Sequence, residues 1–200
     1  MHALIVVAHP NPQSLTHHVA ATVRSGIEES GHSAEIADLA AEGFDPRYSA
    51  ADQAAYVKGD AIPDDVAAEQ ARIDRSDSLV LVYPIYWWSF PGLLKGWIDR
   101  VFVNGWAYQE TDAGIEKKLA RLMVHLVGIG GADLGTYARR GYQWAMRTQI
   151  EHGIFDYCGA SVVRSELFLP PESGDWSEHL ATARTIGADM FRDERVEIAA

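Results

Sequence analysis

Residues 3–8 read ALIVVA and residues 78–83 read SLVLVY. Both are strand-length, rich in branched residues, and apolar at nearly every position. A strand that is apolar on both sides needs cover on both faces, which a central position in a parallel sheet provides. Each run is followed by a breaker and then by residues with helical spacing. After the first, His9-Pro10-Asn11-Pro12 ends the strand and Val19, Val23 and Ile27 recur every fourth residue. Ser14 is placed as the N-cap and Gly31 as the residue past the helix end. After the second, Pro91 is placed at the first helical position, and Leu94, Trp97, Ile98, Val101 and Phe102 form an inner face.

Other segments extend the pattern. Ser33–Leu39 is predicted as a weaker edge strand. Residues 41–62 show no period and are predicted as irregular. A helix is predicted over Asp64–Arg75 with an aspartate cap. Leu119–Val127 and Ser161–Leu167 are predicted strands. Arg139–Tyr157 and Trp176–Phe191 are predicted helices, the latter with Leu180, Ala183, Ile186 and Met190 inward. Alternating strands and helices predict an α/β fold: one open, five-stranded parallel sheet with helices on both faces. At 200 residues the chain is read as one domain. Ligands of such folds sit beyond the carboxyl ends of the strands. Three loops fall there: 9–16, 84–91 and 128–137.

Composition narrows the partners. A net charge of −11 argues against non-specific affinity for nucleic acid or anionic lipid. One cysteine, Cys158, excludes an internal disulfide and a cysteine-cluster metal site, and a reducing cytoplasm is expected. The apolar start MHALIVVAHP is too short for a signal peptide or membrane span and has no basic leader.

The first loop, HPNPQSLTHH, opens a helix whose free N–H groups suit a phosphate, with hydroxyls on Ser14 and Thr16 and an imidazole on His9. Read plainly, it is a strand-to-helix turn with a serine cap. It matches neither an ATP P-loop nor a dinucleotide glycine fingerprint. His17 and His18 read as solvent-facing or packing residues, and a metal site on His9, His17 and His18 is a minor reading. The second loop, PIYWWSFP, offers aromatic shelves at Trp87 and Trp88, which as plain structure would fill the core. The third, VGIGGADLGTY, brings glycines whose backbone can approach a ligand closely, and otherwise reads as a flexible turn. Together they describe a phosphate pocket, an aromatic shelf and an edge that stabilises negative charge. A flavin mononucleotide moiety has those three parts.

The stretches ALIVVAHPNPQS, IPDDVAAEQARIDRSDSLVLVYPIYWWSFPGLLKGWIDRVF and the later GIGG…Y with HGIFDYCG resemble the flavodoxin-like NAD(P)H:quinone reductases over most of residues 3–168. The resemblance implies sheet order 2-1-3-4-5, a homodimer with two active sites at the subunit interface, and a tightly held flavin. It implies a ping-pong cycle in which NAD(P)H gives hydride to the flavin and a quinone-like acceptor then takes both electrons. FAD is the implied flavin, with FMN as the alternative because the short C-terminus lacks a segment that contacts adenine in longer members.

By position, the resemblance places His9, Gln13, Ser14, Leu15, Thr16 and His18 around the phosphate and ribityl chain. Pro84, Ile85, Tyr86, Trp87 and Trp88 contact the ring, with Trp87 packed on it. Gly128, Ile129, Gly130 and Gly131 line its polar edge, the last two donating N–H groups, and Tyr137 hydrogen-bonds the same edge as the catalytic residue. Trp106, Tyr108 and Gln143 belong to the acceptor site. Some relatives pair the tyrosine with a histidine; here Gln143 stands nearest, and it can hydrogen-bond but not take up a proton. Two other readings are a flavodoxin-like electron carrier that NAD(P)H does not reduce directly, and a flavin-free signalling or hydrolase domain. The acidic cluster, phospho-acceptor aspartate and G-x-S-x-G elbow of the last are missing from the sequence.

Overall fold

The computed structural model describes residues 1–192. The chain runs β1 (His2–Val7), α1 (Leu15–Glu29), β2 (Ser33–Asp38), α2 (Ala50–Lys58), α3 (Asp64–Asp74), β3 (Ser78–Pro84) and α4 (Gly92–Val101). It continues through β4 (Tyr108–Thr111), β5 (Gly114–Lys117), β6 (Met123–Ile129), α5 (Leu134–Arg140) and α6 (Tyr142–Met146). A π-helical segment (Arg147–Asp156), β7 (Ser161–Phe168) and α7 (Ser177–Asp189) complete it.

Five strands form one sheet in the order β2-β1-β3-β6-β7, and all its pairings are parallel. Counting only these strands, the order is the expected 2-1-3-4-5. Side-chain alternation along β1 shows why the run is continuously apolar. Leu4 and Val6 enter one core with Trp97, Leu94, Ile73 and Phe155. Ala3, Ile5 and Val7 enter the other with Val19, Val23 and Ile27 of α1 and Ile186 of α7. Helices α1 and α7 lie close enough that a Cβ on Gly187 would stand 2.1 Å from the Val23 carbonyl oxygen.

Several boundaries differ from the sequence expectation. The stretch 41–62 contains α2, opened by a reciprocal cap between Ser49 and Asp52. Its short apolar pattern is invisible to periodicity because Arg100 anchors it instead. The Asp52 carboxylate takes the Arg100 Nε at 3.1 Å, and Asp65 takes the same guanidinium from the other side at 2.5 and 3.1 Å. No aspartate caps α3: Pro63 is the N-cap, and Asp64 and Asp65 fall in the first turn, where they complement the helix dipole. Pro91 is the N-cap of α4 rather than its first residue. The fourth strand of the sheet starts at Met123, because Leu119 and Leu122 close a turn first. The single helix expected over Arg139–Tyr157 is divided at Gly141, whose φ of +71° ends α5 in a left-handed cap. The β4–β5 hairpin went unseen because its residues are polar and its strands short. The last helix is shorter than expected at both ends.

His125, in β6, is only 5% exposed, and neither ring nitrogen has a hydrogen-bond partner. Burial, aided by the Arg164 charge, pushes its pKa from 6.5 down to about 4. The unfolded chain therefore takes up the proton more readily, and stability falls as pH drops from about 6.5 towards 4. His125→Leu should remove that loss. Urea unfolding at pH 7.5 and at pH 4.5 should show its advantage over the parent growing by about 2–3 kcal/mol towards acid. An equal difference at both pH values would refute the assignment. Cys158 is buried, and burial pushes its thiol up to about 11, so it is inert near neutrality.

Candidate functional site

The three loops meet at the carboxyl ends of β1, β3 and β6, where the strand order reverses. The first is a chain of local hydrogen bonds. His9 Nδ1 accepts the Asn11 N–H, Asn11 Oδ1 accepts the Gln13 N–H, and the Asn11 carbonyl accepts the Ser14 N–H. Ser14 caps α1 as expected, its Oγ accepting the His17 N–H at 3.3 Å. The N–H groups of Leu15 and Thr16 are left without an acceptor among the described residues, which keeps them available to an anion. The Leu15 side chain packs into the α1/α7 core and the Thr16 side chain is buried, so these residues offer backbone here. Gln13 and His18 are exposed. His17, read from the sequence as solvent-facing or packing, is half-buried. Its Nδ1 meets Ser14 Oγ and its Nε2 meets Asp38 Oδ2, each at 2.8 Å.

The second loop is strained. Tyr86 and Ser89 exchange both backbone hydrogen bonds, at 3.2 and 3.1 Å. The two residues between them, Trp87 and Trp88, have φ of +49° and +61°. A two-residue turn with both central residues left-handed ordinarily carries Asn-Gly. Two tryptophans there run against the turn chemistry, and such conflicts gather at functional positions. The Ile85 N–H is held by the Ile129 carbonyl at 2.8 Å. The N–H groups of Trp87 and Trp88 have no acceptor among the described residues.

The two indoles have different surroundings. Trp87 is 92% exposed. Trp88 is half-buried, stacked on Tyr142 with ring centroids 3.6 Å apart and edge-on to Tyr137 at 5.2 Å, so it does fill core as well as face the site. Because Trp87 buries almost nothing and sits in a left-handed conformation, Trp87→Gly should stabilise the fold by about 1 kcal/mol. A lower midpoint in urea unfolding would show that the indole is held by contacts.

Across the loop, Ile85, Trp87, Trp88, Gly131, Ala132 and Tyr137 line a crevice of about 200 Å³. A Cβ built on Gly131 meets nothing within 4 Å. Gly130 behaves differently. Its N–H bonds to the Phe168 carbonyl at 2.9 Å, so it continues the β6–β7 ladder and is not the donor expected. A Cβ there would come within 2.5 Å of the Tyr137 hydroxyl. Gly128 and Ile129 also lie in that ladder, and Pro84 ends β3. Tyr137 is 1% exposed, and burial raises its pKa, so the phenol remains a hydrogen-bond donor near neutrality.

The expected acceptor-site residues lie elsewhere in the chain. Helix α4 starts at the crevice and runs back along the sheet, so Trp106 and Tyr108 emerge at the opposite end. Trp106 Nε1 donates to Asp74 at the end of α3 at 3.2 Å, and Tyr108 packs edge-on against Tyr157. Gln143 lines a neighbouring cavity of about 310 Å³ with Tyr83, Arg147, Glu151 and Arg164. Among the described residues, no group of three or more His, Cys, Asp or Glu is placed to hold a metal, and no helix is long and apolar enough to cross a membrane.

A family model for the flavodoxin-like fold, Flavodoxin_2, matches residues 1–185. The chain belongs to the Flavodoxin_2 family. Within reach of this Flavodoxin_2 chain is an uncharacterized NAD(P)H oxidoreductase of Haemophilus influenzae, 31% identical over 170 residues that span 84% of this chain and 83% of the relative. An NAD(P)H:quinone oxidoreductase from Methanothermobacter marburgensis superposes with a TM-score of 0.84 and 26% identity, covering 95% of this chain and 98% of the other. The general stress protein 14 of Treponema denticola, solved in complex with FMN, superposes with a TM-score of 0.65 and 26% identity, covering 95% and 99%. Flavodoxin_2 membership agrees with the sheet order and with the position of the crevice at the strand reversal.

Proposed function

We propose that this protein is an NAD(P)H-dependent flavoprotein oxidoreductase that reduces quinones or related acceptors. The observation that carries the reading is the strained Trp87-Trp88 turn facing Gly131 and Tyr137 across an open crevice. A turn that forgoes Asn-Gly for two indoles is accounted for by a planar ligand that meets its aromatic surface and its free N–H groups.

The residues present fit a flavin. The Leu15 and Thr16 N–H groups with the Ser14 hydroxyl would hold its phosphate. Trp87 and Trp88 would meet the ring and, through backbone N–H groups, its polar edge. The Gly131 position leaves open space for close approach, and the Tyr137 hydroxyl would donate a hydrogen bond to the edge that becomes negative. When bound, the flavin supplies two-electron hydride chemistry between a nicotinamide and a quinone. The chain's own part is to orient the ring, place donors before charge develops, and keep one face open to donor and acceptor in turn. Gln143 holds no proton-accepting group near neutrality, so it would orient and not relay.

A homodimer completes the design. Trp106 and Tyr108 stand at the end of the sheet remote from their own chain's crevice, so their acceptor-site role requires a second copy to present them. Burial pushes the Tyr108 phenol up to about 12, so it too is a neutral wall. FAD is the proposed flavin, with FMN the alternative that the Treponema relative's complex supports. The setting proposed is the cytoplasm.

The test is the absorbance and mass of the ligand released on denaturation, followed by rapid mixing with NADPH. A flavin spectrum that bleaches within the dead time to seconds supports the reading. A flavin that NADH and NADPH leave oxidised would indicate an electron carrier, and a colourless protein that refuses FMN and FAD would overturn the reading.

A further inference from the structure

The anchoring loop contains a hydrogen-bonded chain of which the proposed function uses only the Ser14 hydroxyl. Ser14, His17 and Asp38 are linked at 2.8 Å on each side of the imidazole. Asp38 ends β2, the strand beside β1, so the parallel pairing itself brings the carboxylate to the first loop. Its other oxygen accepts the Ala40 and Ala41 N–H groups at 3.2 Å each, which fixes the carboxylate in place.

The titratable groups facing His17 are few. Asp38 approaches from β2, and His9 lies edge-on from the loop after β1, with ring centroids 6.3 Å apart. On α7, His179 is bound to the Leu169 carbonyl and Arg184 pairs with Glu29 at the far end of α1. On this side β3 presents Val80 and Val82.

Counting hydrogens decides what Ser14 can do. An ionised Asp38 only accepts, so His17 Nε2 carries a hydrogen and, in the neutral ring, Nδ1 only accepts. The hydrogen in the Ser14–His17 contact is then the serine's own. Ser14 Oγ already accepts the His17 backbone N–H, and in this state the hydroxyl has no hydrogen left for an anion. Protonating His17 reverses the contact. Nδ1 donates to Oγ, the hydroxyl hydrogen is released outward, and the imidazolium lies between Asp38 and the anion.

We propose that His17 is a positioning residue that couples phosphate binding to the uptake of one proton, turning the Ser14 hydroxyl from its own histidine to the bound phosphate. The proposal rests on the reading that this loop grips a flavin's phosphate. By linkage, binding that takes up one proton weakens as pH rises, so affinity for a phosphorylated flavin falls by up to about tenfold per pH unit. Affinity for riboflavin, which has no phosphate, does not follow that slope.

The experiment is titration of the flavin-stripped full-length chain with FAD, FMN and riboflavin between about pH 5 and 8, read by fluorescence quenching. It is paired with calorimetry in two buffers of different ionisation heat. FAD is the principal probe, because the FMN monoester titrates itself near pH 6. The parent should take up close to one proton on binding FAD and none on binding riboflavin. His17→Gln, which keeps hydrogen bonding but cannot titrate, should bind FAD without proton uptake and with a flat profile. Tight FAD binding with no proton uptake in the parent, or with undiminished uptake in His17→Gln, overturns the coupling and leaves the flavin reading standing. Failure of all three flavins to bind at any pH overturns the flavin reading and the coupling with it.

Discussion

Gly131→Val is expected to leave the protein folded and to strip it of flavin. The backbone there is not in a left-handed conformation, and an added Cβ meets no atom within 4 Å, so the substitution costs the fold little. The same open space is the crevice lined by Trp88 and Tyr137. Methyl groups forced into a packed contact cost about 1–3 kcal/mol, which weakens flavin binding by up to about hundredfold. The measurement is flavin affinity by fluorescence titration beside a thermal melt. An unchanged affinity would remove Gly131 from the site. A collapse of the melt would show instead that the loop needs a glycine for its own conformation. Gly130→Ala is not an equivalent probe, since its added carbon would press on the Tyr137 hydroxyl.

Arg100→Met is expected to destabilise the fold strongly, far from the crevice. The Arg100 guanidinium is buried and binds Asp52, Asp65 and the Asp45 carbonyl. Burial works against the Asp52 charge, but hydrogen bonds from Ser49 and from Arg100 outweigh it and hold its pKa below the ordinary 3.8. Removing the arginine leaves a buried carboxylate without its counter-ion, which costs about 3–5 kcal/mol. Urea unfolding at neutral pH gives the number, and a loss under about 1 kcal/mol would mean that solvent reaches Asp52. The sign with pH follows from the lowered carboxylate. In the parent, the stability carried by Asp52 is complete above about pH 3.8 and is lost as pH falls through its folded value.

The parallel sheet was legible because its central strands are apolar at successive positions, and only burial on both faces explains ALIVVA and SLVLVY. The crevice was legible from the same argument, since strand order fixes which loops share an end. What escaped depended on contacts between distant residues. Helix α2 is held by an arginine 48 positions away, and no local period records that. The division of the long helix was signalled by Gly141, whose left-handed cap is a single residue's property. His17 was read only as solvent-facing or packing because its partner, Asp38, is on the next strand. Gly130 is not free to donate because β6 runs two residues further than the strand expected and the β6–β7 ladder uses that N–H. Trp106 and Tyr108 were assigned by resemblance to an acceptor site at a subunit interface, and within one chain the path of α4 carries them to the end of the sheet opposite the crevice.

The left-handed Trp87 has a consequence for any effort to make this protein more robust. Selection on heat resistance alone would reward Gly or Asn at position 87, because the chain relaxes there and almost no buried surface is lost. If Trp87 holds the proposed flavin, cultures scored only on survival of the folded state would therefore converge on variants that outlast the parent while turning pale, and the colour of a lysate would report function better than its melting curve.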